Sequence, residues 1–216
     1  MKAIGIGAGG HAKVVLDILF QQQYRSVIGL LDADAARWGS TLLDVPILGG
    51  DEALDKLIET ESITAFFLGI GAVKSLAQRR KLYEFALGKG LVPLDIVHPS
   101  AHVSPLVTLG AGVTIMVASI INAASSIGEN VLINTGAIVE HDCTIGNHVH
   151  IATGACVAGG VEIGDEAMIG VGSVIRQGLR IGRRAVVGAG AVVIKDVPDD
   201  CVVVGNPANT LRESCT

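Results

Sequence analysis

The later part of this 216-residue chain lacks aromatic residues, because all seven lie within the first 85 positions. Long basic runs are also missing and the net charge is −5, so the chain lacks the positive patch that nucleic-acid binding requires. The cysteines have neither metal-binding spacing nor the density of a disulfide-stapled domain, which predicts reduced thiols with packing roles at Cys143, Cys156, Cys201 and Cys215. The apolar start is interrupted at Gly9 and Lys13, too early for a signal or membrane segment. We expect a cytoplasmic protein without membrane insertion or a nucleic-acid partner.

The loss of aromatics marks two domains, which we predict over residues 1–97 and 98–216. In the first domain, short apolar runs alternate with helix-like segments, from KAIGIG and HAKVVLDILFQQQ to SLAQRRKLYEFALGKG and VPLDIV. This β-α-β rhythm predicts a small parallel sheet with helices packed on it. Arg79, Arg80 and Lys81 are expected on the exposed face of one of these helices.

The second domain has a strict period of six residues. Aliphatic residues occupy every sixth position from Val103 to Val193, and an aliphatic-glycine pair recurs every eighteen residues, beginning with Leu109-Gly110. No helix or ordinary alternating strand has this period. It predicts a parallel β-helix of triangular cross-section, with three short strands in each coil and an aliphatic inner column. Small residues two positions earlier, such as Ser119 and Ala137, are expected to turn inward at the corners.

A glycine pattern follows the first predicted strand. Gly5-x-Gly7-x-x-Gly10 opens a helix, and Asp32 ends the next strand, as in Rossmann-type dinucleotide sites where glycines admit a phosphate. Taken alone, this pattern favours NAD. The domain is only about half of a full dinucleotide fold, so a nucleotide-linked sugar, which also carries a pyrophosphate, is the alternative that we prefer.

Together, the hexads, 203-VVGNPAN-209, the N-terminal GAGGHAKVV and 140-EHD-142 resemble one subfamily of the left-handed β-helix acyltransferases. That subfamily contains PglD-type sugar N-acetyltransferases and NeuD-type sialic acid O-acetyltransferases. The resemblance covers nearly the whole chain. It implies a left-handed helix and a homotrimer that binds acetyl-coenzyme A in clefts between subunits.

The resemblance also implies roles for residues of the β-helix. His141 would be the general base, and Asp142 would orient its ring, although Glu140 on the other side is an open alternative. His150 would contact acetyl-coenzyme A, and His148 is expected at the solvated surface. Small or apolar residues would line the coenzyme groove at Gly159, Val171 and Ala189.

In the N-terminal domain, the glycine loop would surround the pyrophosphate or sugar through Gly7, Ala8, Gly9, Gly10 and His11. Asp32 and Asp34 would hydrogen-bond to the base or ribose. Gly71, after the third strand, lies at the carboxyl edge of the sheet and would add a further wall. Lys13 is left open between a phosphate contact and a solvated side chain.

These expectations combine into an acetyl-coenzyme A-dependent N-acetyltransferase. It would act on a nucleotide-linked 4-amino-4,6-dideoxy sugar in bacterial surface glycan or O-antigen biosynthesis, without a metal. Sialic acid O-acetylation is the alternative within the fold. More distant alternatives are a gamma-type carbonic anhydrase, which would need His141, His148 and His150 to converge on zinc, and a non-catalytic sensor of nucleotide sugars.

Overall fold

A computed structural model describes residues 1–71 and 76–212, so Cys215 lies outside the described part. By its internal contacts the chain divides into two units, Met1–Ile96 and Val97–Thr216. The three cysteines within the described ranges are free thiols. Among the described residues, none of the helices is both long and apolar enough to cross a bilayer.

The N-terminal unit alternates strands and helices as the sequence predicts. Each of its main helices comes after a strand and has buried apolar residues on one side. The elements are β1 (Ala3–Ile6), α1 (Gly10–Gln21), β2 (Val27–Leu31), β3 (Thr41–Leu42), β4 (Val45–Gly49), α2 (Leu54–Glu61), β5 (Ala65–Leu68), α3 (Leu76–Gly88) and β6 (Val92–Pro93). Short 3-10 turns span Ala35–Arg37 and Asp51–Ala53.

The sheet of this unit has the strand order β3-β4-β2-β1-β5-β6. All neighbours are parallel except β3 and β4, which form an antiparallel hairpin at one edge. The prediction of a wholly parallel sheet missed this hairpin. Its two turn residues, Leu43 and Asp44, both have positive φ (49° and 64°), as a type I′ hairpin turn requires. The sequence signal for such a turn is usually Asn-Gly, which this chain lacks here.

The second unit is a left-handed parallel β-helix with three faces. The first face stacks Ile96–Val97, Thr114–Ile115, Leu132–Ile133, His150–Ile151, Met168–Ile169, Val186–Val187 and Val202–Val204, followed by antiparallel Asn209–Arg212. The second face stacks His102–Val103, Ile120–Ile121, Ile138–Val139, Cys156–Val157, Val174–Ile175 and Val192–Val193. The third face stacks Thr108–Leu109, Ser126–Ile127, Thr144–Ile145, Glu162–Ile163 and Arg180–Ile181.

The predicted aliphatic column forms the core of the β-helix. From Ile115 to Val193 every sixth residue is at most 3% exposed, and Ser119 and Ala137 turn inward at the corners as expected. Residues in the left-handed region also recur every six positions, from Gly112 through Asp142 and His148 to Gly190. Between residues 112 and 190, each corner therefore turns at one residue of positive φ, which leaves the flanking two-residue strands extended.

The eighteen-residue recurrence of glycine has a separate cause at the corner between the third and first faces. A Cβ atom on Gly146 would lie 2.4 Å from Asp165 Oδ1, and one on Gly128 would lie 2.5 Å from Asn147 Oδ1. The same side chains accept hydrogen bonds from the preceding coil, since the Asn147 amide donates to Asp165 Oδ1 at 2.8 Å. Glycine is required because this ladder brings successive coils too close for a side chain.

The column predicts a large cost for opening a cavity within it. Ile163 is 2% exposed, so Ile163→Ala should lower the free energy of unfolding by roughly 2–5 kcal/mol in chemical denaturation. Leu106, which is 71% exposed, supplies the matched control, and Leu106→Ala should change it by less than about 0.5 kcal/mol. Equal effects of the two substitutions would contradict the packing described above.

Candidate active site

His141 lies at the corner between the second and third faces, just after the strand Ile138–Val139. Its Nδ1 atom is 2.7 Å from Asp142 Oδ2, and the two side chains are 64% and 65% exposed. Asp142 is the positive-φ residue of this corner (φ 59°). The fold of the coil therefore presents an imidazole on the surface with a carboxylate against one of its nitrogens.

This contact determines the chemistry available to the neutral ring. A carboxylate beside Nδ1 favours the tautomer in which Nδ1 carries the hydrogen and donates it to Asp142. The lone pair then lies on Nε2, the nitrogen on the far side of the ring from Asp142. His141 can accept a proton there, and Asp142 would stabilise the resulting imidazolium.

Glu140 has a different partner from His141. Its Oε2 accepts a hydrogen bond from Asn122 Nδ2 at 2.8 Å, and its backbone carbonyl accepts one from Ser125 Oγ at 2.8 Å. The Glu140 carboxylate is thus tied to the preceding coil. Of the two candidate carboxylates that flank His141, Asp142 is the one in contact with the ring.

Gly159 lies under the His141 ring, one coil further along. A Cβ atom at Gly159 would be 2.6 Å from His141 Cε1 and 2.7 Å from Nε2, and Gly160 donates its amide hydrogen to the His141 carbonyl at 2.9 Å. We predicted Gly159 as a coenzyme-binding residue, and that role stays a prediction. The structure supplies a second reason for glycine, because any side chain here would displace the imidazole.

A surface groove of 610 Å³ begins beside Gly159 and follows the second face away from His141. Its lining is mainly aliphatic, with one cation and one amide: Ala158, Val174, Ile175, Arg176, Gln177, Val192, Val193 and Ile194. Val171 and Ala189 are exposed on neighbouring coils at the other corner of this face. Three of the four predicted coenzyme residues, Gly159, Val171 and Ala189, thus flank one face of the helix, and the groove could hold an extended apolar arm.

The other two histidines of this region are buried. His150 lies on the first face, is 6% exposed and has its Nε2 atom 3.4 Å from Asn134 Nδ2. His148, which we expected at the solvated surface, is only 8% exposed, and its Nδ1 lies 3.0 Å from Asn130 Nδ2. That expectation was wrong because the side chain folds back along its own corner to meet the residue one coil below.

The three histidines therefore occupy different parts of the prism. His141 is at the corner opposite the first face, which carries His150, and His148 is at the corner between the third and first faces. Within residues 1–71 and 76–212, the structure contains no group of three or more His, Cys, Asp and Glu side chains able to hold a metal ion.

In the N-terminal unit, the glycine loop joins β1 to α1 at the carboxyl edge of the sheet. Gly7 has φ 98° and donates its amide to the Leu31 carbonyl at 2.7 Å, and the Ala8 amide donates to Asp32 Oδ2 at 2.8 Å. Gly9 caps α1, which begins at Gly10 and has no acidic residue in its first turn. The loop is held open at a helix N-terminus, where an anion is favoured.

The loop after β5 packs against the glycine loop, as its predicted position requires. Ideal Cβ atoms would lie 2.1 Å from the Gly7 carbonyl oxygen if built on Gly69, and 3.7 Å from the His11 side chain if built on Gly71. Gly69 thus lies against Gly7, and Gly71 lies against His11. Lys13 is exposed on α1, and its role stays open.

Arg79 holds the loop after β5 in place. Its Nη1 donates to the Ile70 carbonyl at 2.7 Å, and the residue is 2% exposed. Burial lowers the pKa of Arg79 to about 10, so the guanidinium is still charged at neutral pH. The expectation that Arg79 lies on the exposed face of α3 was wrong. The sequence alone gives no signal for it, since an arginine in an amphipathic helix is usually solvated.

Asp32 and Asp34, the predicted base or ribose ligands, have internal partners. Asp32 Oδ1 accepts from the Asp34 amide at 2.9 Å, and Asp34 Oδ1 accepts from the Ala36 amide at 3.1 Å, which caps the short turn Ala35–Arg37. Their ligand-binding roles stay predictions. Structurally, the two carboxylates shape the segment that follows β2.

Comparisons with known proteins agree with both halves of this description. The model for the PglD N-terminal domain matches residues 2–85, and the model for bacterial transferase hexapeptide repeats matches residues 124–159 and 160–195. PerB from Caulobacter crescentus, solved with CoA and GDP-perosamine, is 40% identical with a TM-score of 0.91, and the match covers 98% of each chain. The chain belongs to the PglD/NeuD-type sugar acetyltransferases.

Two further members of this family have similar structures. The acetyltransferase domain of PglB from Neisseria gonorrhoeae, solved with acetyl coenzyme A, is 34% identical over 97% of this chain and 98% of that one, with a TM-score of 0.88. WeeI from Acinetobacter baumannii is 32% identical over 98% and 100%, with a TM-score of 0.88. A search of curated proteins gives no match.

The close contact between Gly159 and His141 predicts that a single methyl group added at position 159 lowers the activity. Gly159→Ala should push the imidazole away from its position and lower acetyl transfer by up to about 100-fold, while the melting temperature changes little. Release of coenzyme A thiol measures the rate. Gly160→Asn is the control, because Gly160 has φ 65° and open space around it, and asparagine tolerates this conformation. An unchanged rate in Gly159→Ala would show that the ring position is unimportant.

Proposed function

We propose that this protein is an acetyl-coenzyme A-dependent N-acetyltransferase. Its acceptor is the amino group of a nucleotide-linked 4-amino-4,6-dideoxy sugar, used in bacterial surface glycan or O-antigen biosynthesis in the cytoplasm. The observation that carries the proposal is the exposed His141 imidazole, which has Asp142 at Nδ1 and Nε2 directed away from that carboxylate. Support comes from PerB, which is solved with CoA and GDP-perosamine and is similar over nearly the whole chain.

His141 acts as the general base in this reaction. The sugar amine, in its neutral form, attacks the thioester carbonyl as Nε2 of His141 takes one of its protons. A carbon–nitrogen bond forms, the carbon–sulfur bond breaks, and the imidazolium returns the proton to the departing thiolate. Asp142 holds the Nδ1–H of the ring and stabilises the imidazolium while it exists. The thioester is already activated, so positioning and proton transfer supply the catalysis.

Acetyl-coenzyme A binds along the second face in this proposal. The aliphatic groove beside Gly159 suits the pantetheine arm, and Val171 and Ala189 add exposed apolar surface on the same side. His150 contacts the coenzyme from a neighbouring subunit of a homotrimer, because within one chain it lies on the face opposite the His141 corner. PglB, a similar protein, is solved with acetyl coenzyme A.

The N-terminal unit binds the nucleotide sugar. Its glycine loop presents the Gly9 and Gly10 backbone at the N-terminus of α1, which favours a diphosphate. His11 and Gly71 form the adjoining wall. The match of residues 2–85 to the PglD N-terminal domain supports this assignment.

Replacing His141 with alanine tests the base directly. His141→Ala should lower kcat by roughly 10²–10⁴-fold, because the amine loses its proton acceptor, and should leave the fold intact. Thiol release gives the rate, and circular dichroism gives the fold. His102→Ala, which removes an exposed histidine from the first strand of the second face, should retain full activity. Full activity in His141→Ala would refute the proposed mechanism.

The acceptor is identified by a substrate panel. Purified protein and acetyl-coenzyme A are mixed with GDP-, UDP- and dTDP-linked 4-amino-4,6-dideoxy sugars, with GDP-perosamine as the first candidate and sialic acid as the comparison. We expect thiol release with one nucleotide sugar and none with sialic acid, since the helix N-terminus at the glycine loop favours a diphosphate. Turnover of sialic acid alone would make the protein an O-acetyltransferase, and coenzyme binding without turnover of any acceptor would favour a sensor.

A further inference from the structure

The segment that follows β2, Asp34–Trp38, carries a cation and an aromatic ring beside the glycine loop. Neither Arg37 nor Trp38 belongs to the residues assigned so far. Both are hydrogen-bonded to Asp32, the first residue after β2. Their position at the carboxyl edge, where open α/β sheets bind ligands, raises the question of what they contact.

Asp32 is the hub of this arrangement. Its Oδ2 accepts hydrogen bonds from the Ala8 amide at 2.8 Å and from Arg37 Nη1 at 3.3 Å, and its Oδ1 accepts from the Asp34 amide at 2.9 Å. A carboxylate has about four acceptor positions, so three are occupied within the chain. Asp32 therefore has little remaining capacity for a ligand hydroxyl, and its main effect is to position the groups bound to it.

Arg37 brings positive charge to the glycine loop. Its guanidinium and the Ala8 amide share the same Asp32 oxygen, so both donors lie at the mouth of the loop. The side chain is 35% exposed, and a guanidinium has five N–H donors, of which this contact uses one. The remaining donors suit phosphate oxygens, which arginine binds through paired hydrogen bonds.

Trp38 offers a flat apolar surface next to this cation. The residue is 43% exposed, although an indole ring is normally well buried. Its Nε1 donates to the Asp32 carbonyl at 2.7 Å, which fixes the ring at the end of β2. An exposed aromatic ring held in place by its polar edge is suited to stacking on a nucleobase.

We propose that Arg37 and Trp38 form the recognition element for the nucleoside diphosphate part of the substrate. Arg37 contacts a phosphate oxygen next to the glycine loop, and Trp38 stacks on the base. Asp32 is a positioning residue that holds both. This inference rests on the proposed function, since it names the residues by which the N-terminal unit would bind a nucleotide sugar.

Trp38 provides its own probe, because it is the single tryptophan of the chain. Titration with GDP should quench or shift its fluorescence with saturation, and coenzyme A should not. Trp38→Ala should weaken GDP binding in calorimetry by roughly 5- to 100-fold, the usual worth of one stacked base. Trp38→Phe should restore most of the affinity. Saturable GDP binding with unchanged fluorescence would overturn the stacking role.

Arg37→Gln separates phosphate contact from base contact. This substitution should weaken the binding of GDP by about 10-fold or more and leave the binding of guanosine unchanged, because guanosine has no phosphate. In turnover, KM for the nucleotide sugar should rise, with kcat and KM for acetyl-coenzyme A unaltered. Arg25→Gln is the matched control, since Arg25 is an exposed arginine just before β2, at the opposite edge of the sheet.

The outcomes distinguish this inference from the proposed function. If the wild-type protein turns over a nucleotide sugar, and Arg37→Gln and Trp38→Ala both leave the KM for that sugar unchanged, the recognition element is overturned. The proposed acetyltransferase activity would still stand. Equal weakening of GDP and guanosine by Arg37→Gln would overturn the phosphate contact. Absence of any turnover and of any GDP binding by the wild-type protein would instead contradict the proposed function itself.

Discussion

The whole second unit depends on the stacking of one coil on the next. Each coil buries aliphatic residues against its neighbours, and each such side chain contributes roughly 1.5–3 kcal/mol of transfer free energy. Backbone amides of one coil donate to carbonyls of the next, as from Glu140 to Val157 at 2.9 Å. Because both interactions repeat every eighteen residues, any substitution in the column or in the corner glycines affects two neighbouring coils as well as its own.

This constraint leaves room for chemistry only outside the prism. The residues of each strand that point inward are committed to the core, so reactive side chains must lie at the corners or on the outer surface. His141 illustrates the consequence: it projects from a corner, takes its partner from the next residue, Asp142, and rests on Gly159 of the following coil. The regular stacking thus supplies a rigid platform for an imidazole that is largely exposed.

In the N-terminal unit, polar contacts hold the loops at the edge of the sheet in position. Arg79 is buried and holds the loop after β5 through the Ile70 carbonyl, while Asp32 ties the glycine loop to the segment that carries Arg37 and Trp38. A charged group that is buried or saturated with hydrogen bonds contributes position more than direct ligand contact. The two loops are therefore held in place by side chains that themselves point into the protein.

The sequence by itself determined the β-helix, since an aliphatic residue at every sixth position has no other regular structure. Its glycine pattern also marked the loop after the first strand, and the resemblance to a known family pointed to His141. Tertiary structure decided the contacts between residues distant in sequence. That Asp142 rather than Glu140 meets the imidazole depends on Asn122, one coil away, which engages Glu140. The burial of His148 and Arg79 could not be predicted from the sequence either, because their hydrogen-bond partners come close to them only in the folded chain.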